Sequence, residues 1–361
     1  MDKKKNVSSK FIFFFGSFGG ILFGYDIGVM TGALPFLKTD WNLTNASLVG
    51  WVTSAVMFGA IFGAAIAGQL ADRLGRRRMI LMSSLVFAIG SILCGFSPNN
   101  GTFYLIGMRI FLGLAVGAAS ALVPAYMSEM APARLRGSLS GINQTMIVSG
   151  MLISYIIDFV LKDLPENISW RLMLGLAAVP AIILFAGVLK LPESPRFLIK
   201  ANRLDEARQV LSFVRKPEEV EPEVKSIQAT AQNESSNMAK TSWATLFNSK
   251  YRYLVIAGVG VAAFQQFQGA NAIFYYIPLI VEKATGSAAS SALMWPIVQG
   301  VLLVLGSLLY IWIAEKFNRR TLLTLGGTVM ALSFLLPAVI NSLVPNASPM
   351  MIVVFLSIYV A

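Results

Sequence analysis

The chain alternates long apolar stretches with short polar ones. Runs of the length needed for a helix to cross a ~30 Å hydrocarbon layer, about 20 residues, fall at approximately Phe11 to Phe36, Val49 to Leu70, Ile80 to Phe96, Phe103 to Met127, Ser138 to Val160 and Leu172 to Leu189. A polar interval from Pro192 to Arg252 follows. Beyond it come Tyr253 to Ile280, Ser290 to Ala314, Thr321 to Leu343 and a tenth run that begins near Met350 and reaches Ala361. The pattern predicts an all-α polytopic membrane protein. It has six spans over residues 1–190, a cytoplasmic linker over 191–250, and a second, incomplete group over 251–361 with three full spans and the start of a fourth. The first run is too long for a signal-peptide core, contains Asp26 and lacks a small-residue cleavage site after it, so it is expected to stay as a transmembrane helix.

Within the polar interval, "NRLDEARQVLSFV" places Leu204, Ala207, Val210, Leu211 and Val214 at the spacing of an amphipathic helix. The acidic "KPEEVEPEVK" reads as proline-broken, so short helices joined by flexible turns are expected, serving at the least as a tether. Basic residues give the orientation, because Lys and Arg near span ends stay on the cytoplasmic side. With the N-terminus inside, that side holds Lys3, Lys4, Lys5, Lys10, Arg73, Arg76, Arg77, Arg78, Arg134, Arg136, the linker, Lys316, Arg319 and Arg320. The outer side keeps Lys38, Lys162, Arg171 and Lys283.

Composition agrees with this reading. Hydrophobic residues make up 56% of the chain and charged ones 13%, against roughly 45–50% and about 25% in soluble domains. The net charge of +11 follows from topology and requires no nucleic-acid partner. The lone Cys94 cannot form an internal disulfide, and the absence of His removes histidine as metal ligand, general base or proton relay. Proton chemistry therefore falls to a carboxylate.

A short repeat links the two groups of spans. "GQLADRLGRRR" lies between the second and third spans and "IAEKFNRRT" between the eighth and ninth. Asp72-Arg73-Leu74-Gly75-Arg76-Arg77 thus aligns with Glu315-Lys316-Phe317-Asn318-Arg319-Arg320. Gly75 and Asn318 are the residue types that tolerate left-handed backbone, so a tight turn is expected in both. Two copies at matching places favour a duplicated transporter bundle.

With these motifs the chain resembles a sugar porter of the major facilitator superfamily, and most of all bacterial pentose or hexose proton symporters of the xylose and arabinose type. The resemblance rests on "GGILFGYD", "GQLADRLGRRR", "RIFLGLAVGAASALVPAYMSEMAPARLRG", "WRLMLGLAAVPA", "LPESPRFLIK" and "FQQFQGANAIFYY", in that order. It implies two six-helix bundles around a central monosaccharide site, alternately open to either side of the cell membrane. It implies a monomer when complete and no cofactor beyond a co-transported proton. The family's last three helices, with further sugar ligands, would lie mostly beyond Ala361. The 361-residue chain is therefore expected to insert but not to transport by itself. Glu315 and Asn318 stand where the family usually has Asp and Gly.

An ionisable group inside a span costs at least ~2.5 kcal/mol and has to face a cavity or a partner. Asp26 and Arg109 lie roughly 15 and 9 Å from the outer ends of spans one and four, compatible depths for an ion pair. Charged Asp26 would hold Arg109 and protonated Asp26 would release it, which could couple proton entry to sugar entry. A structural ion pair locking two helices is the plainer alternative.

Sugar hydroxyls call for neutral donors and acceptors. On an unbroken seventh helix, Gln265, Gln268, Asn271 and Tyr275 share one arc about 120° wide, with Gln266 to one side and Gly269 able to permit a kink. The family resemblance supports Gln265, Gln266, Asn271 and Tyr275 and ranks Gln268 lower. It adds Gln144 and Phe23, whose ring could stack on a pyranose. Interhelical polar glue is the competing use of these amides. Asp72, Arg73, Arg76, Glu129, Arg136, Glu193, Arg196, Glu315 and Arg319 sit at cytoplasmic helix ends, where the family pairs such groups as a gate. A proton-independent facilitator, or a sugar sensor on the same scaffold, shares most of these features. An integral-membrane hydrolase lacks a base and a metal set here, so no enzyme activity is expected.

Overall fold

The computed structural model describes residues 8–132, 136–238, 249–286, 289–313, 316–343 and 350–360. Among these residues the chain is helical throughout, without strands. α1 (Ser9–Ser17) and α2 (Gly19–Asp40) join through Phe18 into one span of 32 residues, longer at both ends than the apolar run alone predicts. α3 (Ala46–Leu74), α4 (Arg76–Gly95), α5 (Thr102–Met130) and α6 (Arg136–Leu161) follow. α7 (Glu166–Leu176) and α8 (Ala178–Val188) together make the sixth span. The polar interval holds α9 (Pro195–Lys200), α10 (Leu204–Val214) and α11 (Pro217–Met238). Then come α12 (Ser249–Phe267), α13 (Ala270–Thr285), α14 (Ala289–Ala292), α15 (Met294–Ile313), α16 (Arg319–Leu343) and α17 (Met350–Val360). Eight helical segments among the described residues are long and apolar enough to cross a membrane.

The seventh span differs from the sequence expectation. It is two helices, α12 and α13, parted at Gln268 and Gly269, and Gly269 takes a φ of 78°. A residue with a Cβ resists that conformation, so glycine here allows a break where the sequence suggested only a kink. The shared 120° arc of the glutamines does not survive that break.

Helix contact comes down to backbone approach. In α2, Gly20, Gly24, Gly28 and Gly32 recur every fourth residue and form one face. A Cβ at Gly24 would overlap the carbonyl of Ile147 in α6, and one at Gly28 would overlap the hydroxyl of Ser154. Across α3 and α5, Gly59 and Gly113 face each other so closely that a Cβ on either would lie 3.0 Å from the other's Cα. Lipid offers no hydrophobic drive for helix pairing, so close packing at small residues supplies the attraction instead.

The first basic turn is as expected: Gly75 has φ 95° between α3 and α4. Asn318 does not share the positive φ, so the two copies of the repeat differ in backbone. The linker is also more ordered than its prolines suggest. α10 buries Ala207, Val210, Leu211 and Val214 as predicted, but α11 continues through Pro222. Val220 and Val224, one on each side of that proline in sequence, are both buried. Arg215 clasps Glu223 at 2.5 Å. The same guanidinium donates to the carbonyls of Met130 (2.9 Å) and Ala131 (3.0 Å), capping the end of α5 where helix carbonyls lack partners. The linker is thereby docked on the arginine-rich end of the bundle.

Replacing Gly28 by Leu is expected to destabilise the protein by about 1–3 kcal/mol through overpacking, whereas Gly68→Leu, with open space around it, is expected to be nearly neutral. Thermal unfolding midpoints of detergent-purified variants check this, with a lowered midpoint for Gly28→Leu alone.

Candidate functional site

Asp26 projects from the face of α2 opposite its glycines, because two residues along a helix turn by about 200°. That face meets α5. Asp26 is 2% and Arg109 0% exposed, and Arg109 Nη1 stands 3.8 Å from Asp26 Oδ1. The two charges are paired but not hydrogen-bonded. Oδ2 of Asp26 and Nε and Nη2 of Arg109 have no hydrogen-bond partner, nor has the hydroxyl of Tyr275, which lies in the same electrostatic neighbourhood. Buried polar atoms without partners are costly, so this group holds unspent hydrogen-bonding capacity.

The proposed sugar ligands fall into two places. At the α12–α13 break, Asn271 Nδ2 donates to Gln266 Oε1 at 3.3 Å, and Gln265 and Gln266 are exposed. Gln268 instead lends its backbone carbonyl to the hydroxyl of Tyr359 in α17 (2.9 Å). Tyr275 is buried with the Asp26 group. Phe23 on α2 is half-buried and Gln144 on α6 is exposed. α13 leans on the first group of spans at two points. The Thr31 hydroxyl lies 3.0 Å from the carbonyl of Phe274 and 3.0 Å from that of Ile27 in its own helix, sharing one proton between them, and the hydroxyls of Thr53 and Tyr276 are 3.4 Å apart.

At the arginine-rich end, Arg76 bridges Asp72 (2.7 Å) and Glu129 (3.4 Å), and the second oxygen of Glu129 accepts from Ser194. Glu193 lies over Gly75, accepts from the backbone N–H of Arg77 (3.0 Å) and of Ser194 (3.0 Å), and so receives the first donors of α4 and α9. Arg77 reaches the carbonyls of Val188 (3.1 Å) and Leu189 (2.5 Å). Arg73 is exposed, and Arg196 is half-buried at the start of α9. Arg136 opens α6 and Arg319 opens α16, while Glu315 lies outside the described residues. Asp72, Arg76, Glu129 and Glu193 thus tie α3, α4 and α5 of the first group of spans to α9 at the start of the linker.

Residues 12–361 match the family model described as "Sugar (and other) transporter". The chain belongs to that family. The D-xylose transporter of Levilactobacillus brevis is 43% identical over 331 residues, covering 91% of this chain and 70% of the relative. The major myo-inositol transporter IolT of Bacillus subtilis is 38% identical over 367 residues, 100% and 76% of the two chains. The glucose transporter GlcP of Staphylococcus epidermidis is 37% identical over 350 residues, 97% and 76%. Among solved structures, the xylose transporter XylE from E. coli in a partially occluded inward-open conformation matches with TM-score 0.84 at 26% identity, over 97% of this chain and 80% of that one. XylE bound to 6-bromo-6-deoxy-D-glucose, described as a major facilitator superfamily proton:xylose symporter, matches with TM-score 0.82 at 26% identity, over 98% and 78%. The fold is therefore that of the major facilitator superfamily, in a multi-pass membrane transporter and not an enzyme.

Several polar groups of this sugar transporter family member escaped the sequence reading. Arg77 and Ser194 join the arginine-rich cluster. Gln299 in α15 is buried with both amide atoms unpartnered. Asp158 in α6 is a second acid inside a span, visible in the sequence as the lone charge in "SYIIDFVL". Removing Glu129 as Ala would take the acceptor from the Ser194 hydroxyl and one of two carboxylate partners from Arg76, at a cost of about 1–3 kcal/mol. Asp72→Ala removes the more exposed of the two carboxylates that Arg76 meets and leaves Glu129 in place, so its cost is expected to be smaller, about 0.5–1 kcal/mol. Unfolding midpoints of the two variants are expected to differ in that order.

Proposed function

We propose that this chain takes up a monosaccharide, a pentose or a hexose, together with a proton by alternating access across the cell membrane, with its N-terminus in the cytoplasm. Residues 1–190 and 251–361 act as the two moving parts and 191–250 as the cytoplasmic linker. The observation that carries the reading is the Asp26–Arg109 pair, buried at 3.8 Å with three of its polar atoms unpartnered beside Tyr275. Ionised Asp26 attracts Arg109; a proton on Asp26 removes the attraction and adds a donor. The charge state of one carboxyl thus biases how α2 and α5 sit, and α13 senses it through Tyr275 and through the bond from Thr31.

Sugar is held by neutral groups: Gln265, Gln266 and Asn271 at the α12–α13 break, Tyr275 inward of it, Gln144 from α6, and Phe23 stacking on the ring. The helix break supports this reading, since free backbone groups inside a membrane protein are tolerated where they line a cavity. The arginine-rich cluster, with Asp72, Arg73, Arg76, Glu129, Arg136, Glu193 and Arg196 answered by Glu315 and Arg319, serves as the cytoplasmic gate. Names of relatives point to xylose, glucose and inositol, a chemical class rather than one sugar.

Counterflow of labelled xylose, arabinose and glucose into proteoliposomes bearing this chain tests substrate and transport together, and saturable, stereospecific uptake would overturn the expectation that the 361-residue chain inserts without transporting. Asp26→Asn is expected to abolish accumulation driven by a proton gradient while exchange persists. Accumulation that survives Asp26→Asn would mean facilitated or otherwise coupled transport. Asn271→Ala is expected to weaken sugar affinity several-fold, from the loss of a hydrogen bond worth about 1 kcal/mol, measurable by sugar-dependent thermal shift.

A further inference from the structure

Asp158 is the second carboxyl buried within a span. It sits on α6, 1% exposed, with neither oxygen hydrogen-bonded. Its carboxyl lies directly on Gly32 of α2, where a Cβ would run into Cγ and Oδ2. Among the described residues no Lys or Arg pairs with it. The titratable groups facing it are the phenols of Tyr25 on α2 and Tyr155 one turn back on α6.

The other charges on the elements packed around α6 are directed elsewhere. Arg109 of α5 faces Asp26, Arg171 of α7 pairs with Asp40 of α2 at 3.2 Å, Lys10 of α1 is exposed, and Met294–Ile313 of α15 contains no acid or base. Glu166 begins α7 at its exposed end, and Lys38 lies in the last turn of α2. A buried charge with no partner is strongly disfavoured, so an intramembrane acid placed this way exchanges protons when its surroundings change.

Those surroundings are tied to a moving part. Thr31, the neighbour of Gly32, is the residue whose hydroxyl holds the carbonyl of Phe274 in α13. Tyr155 in turn faces Tyr275, which faces Asp26 and Arg109. Asp158, Tyr155, Tyr275 and Asp26 are thus buried within electrostatic reach of one another in turn, none hydrogen-bonded to the next, beside the point where α13 rests on α2.

We propose that Asp158 is a second proton-exchanging carboxyl, sealed while α13 rests on Thr31 and opened to water when α13 leaves α2. The inference builds on Asp26 as the first such site. Infrared spectra of lipid-reconstituted protein, recorded against pH, test both. A pH-dependent carboxylic-acid carbonyl band is expected to be lost in Asp158→Asn and to persist in Asp26→Asn, with a separate band behaving the opposite way. Asp158→Glu is expected to retain such a band at a shifted midpoint. If Asp158→Asn removes no titrating band, the second site is overturned, whatever Asp26→Asn does. If only Asp26→Asn leaves the spectrum unchanged, the fault lies with the proton role of Asp26. Should Asp158→Asn fail to insert, Gly32→Ala, which displaces the carboxyl, is expected to shift the midpoint of the Asp158 band and leave that of Asp26; no shift overturns the proposal.

Discussion

An ion pair survives inside a bilayer only where helices close tightly enough around it to exclude both lipid and stray water. In this transporter that closure depends on glycine. Gly24 and Gly28 bring the backbone of α2 against α6, while Asp26, between them in sequence, turns to the opposite face and meets Arg109. α5, which carries Arg109, is drawn in turn against α3 where Gly59 meets Gly113. Close packing in lipid has no hydrophobic effect behind it, so dispersion between backbones and satisfied polar contacts have to suffice. The Asp26–Arg109 pair is thus in the first place a consequence of helix packing.

Polar chemistry in this protein divides by depth. At the arginine-rich end several of the described charges have partners: Arg76 pairs with Asp72 and Glu129, Glu193 accepts from two backbone donors, and Arg215 binds Glu223 and the last carbonyls of α5. Those groups hold helix ends in one arrangement. In the middle of the bundle the reverse applies, with Asp26, Arg109, Tyr275, Asp158 and Gln299 all retaining unpartnered atoms. A fully satisfied network fixes one geometry, whereas an unsatisfied one can gain by admitting a ligand, a proton or water. Alternating access requires both, a stiff rim and a responsive centre.

Sequence patterning made most of the architecture legible. Apolar runs located the spans, since segment length against membrane thickness is a one-dimensional property. The i, i+3, i+4 spacing of Leu204 to Val214 located α10. Asp26 and Arg109 were legible as partners because each is a conspicuous charge in an apolar run, at a similar depth. Asp158 has the same signature, but the base nearest it in sequence, Lys162, follows the end of its span and lies over Phe159, and its burial against Gly32 shows only in three dimensions. The arc of glutamines was a helical-wheel inference, and it failed where Gly269 breaks the wheel.

Taken by itself, then, the sequence determined which segments enter the membrane, which residues are charged within them, and which family's motifs they carry, because all of these are written in local composition and order. Tertiary structure decided the rest. It set the 3.8 Å separation of Asp26 and Arg109 and joined the backbone of Gln268 to Tyr359 of α17. It also placed α13 on Thr31 and bound the linker to the end of α5 through Arg215. Each depends on how two segments distant in sequence approach one another, and that approach is governed by backbone contact at a few glycines and by unpaired polar atoms finding, or lacking, a partner.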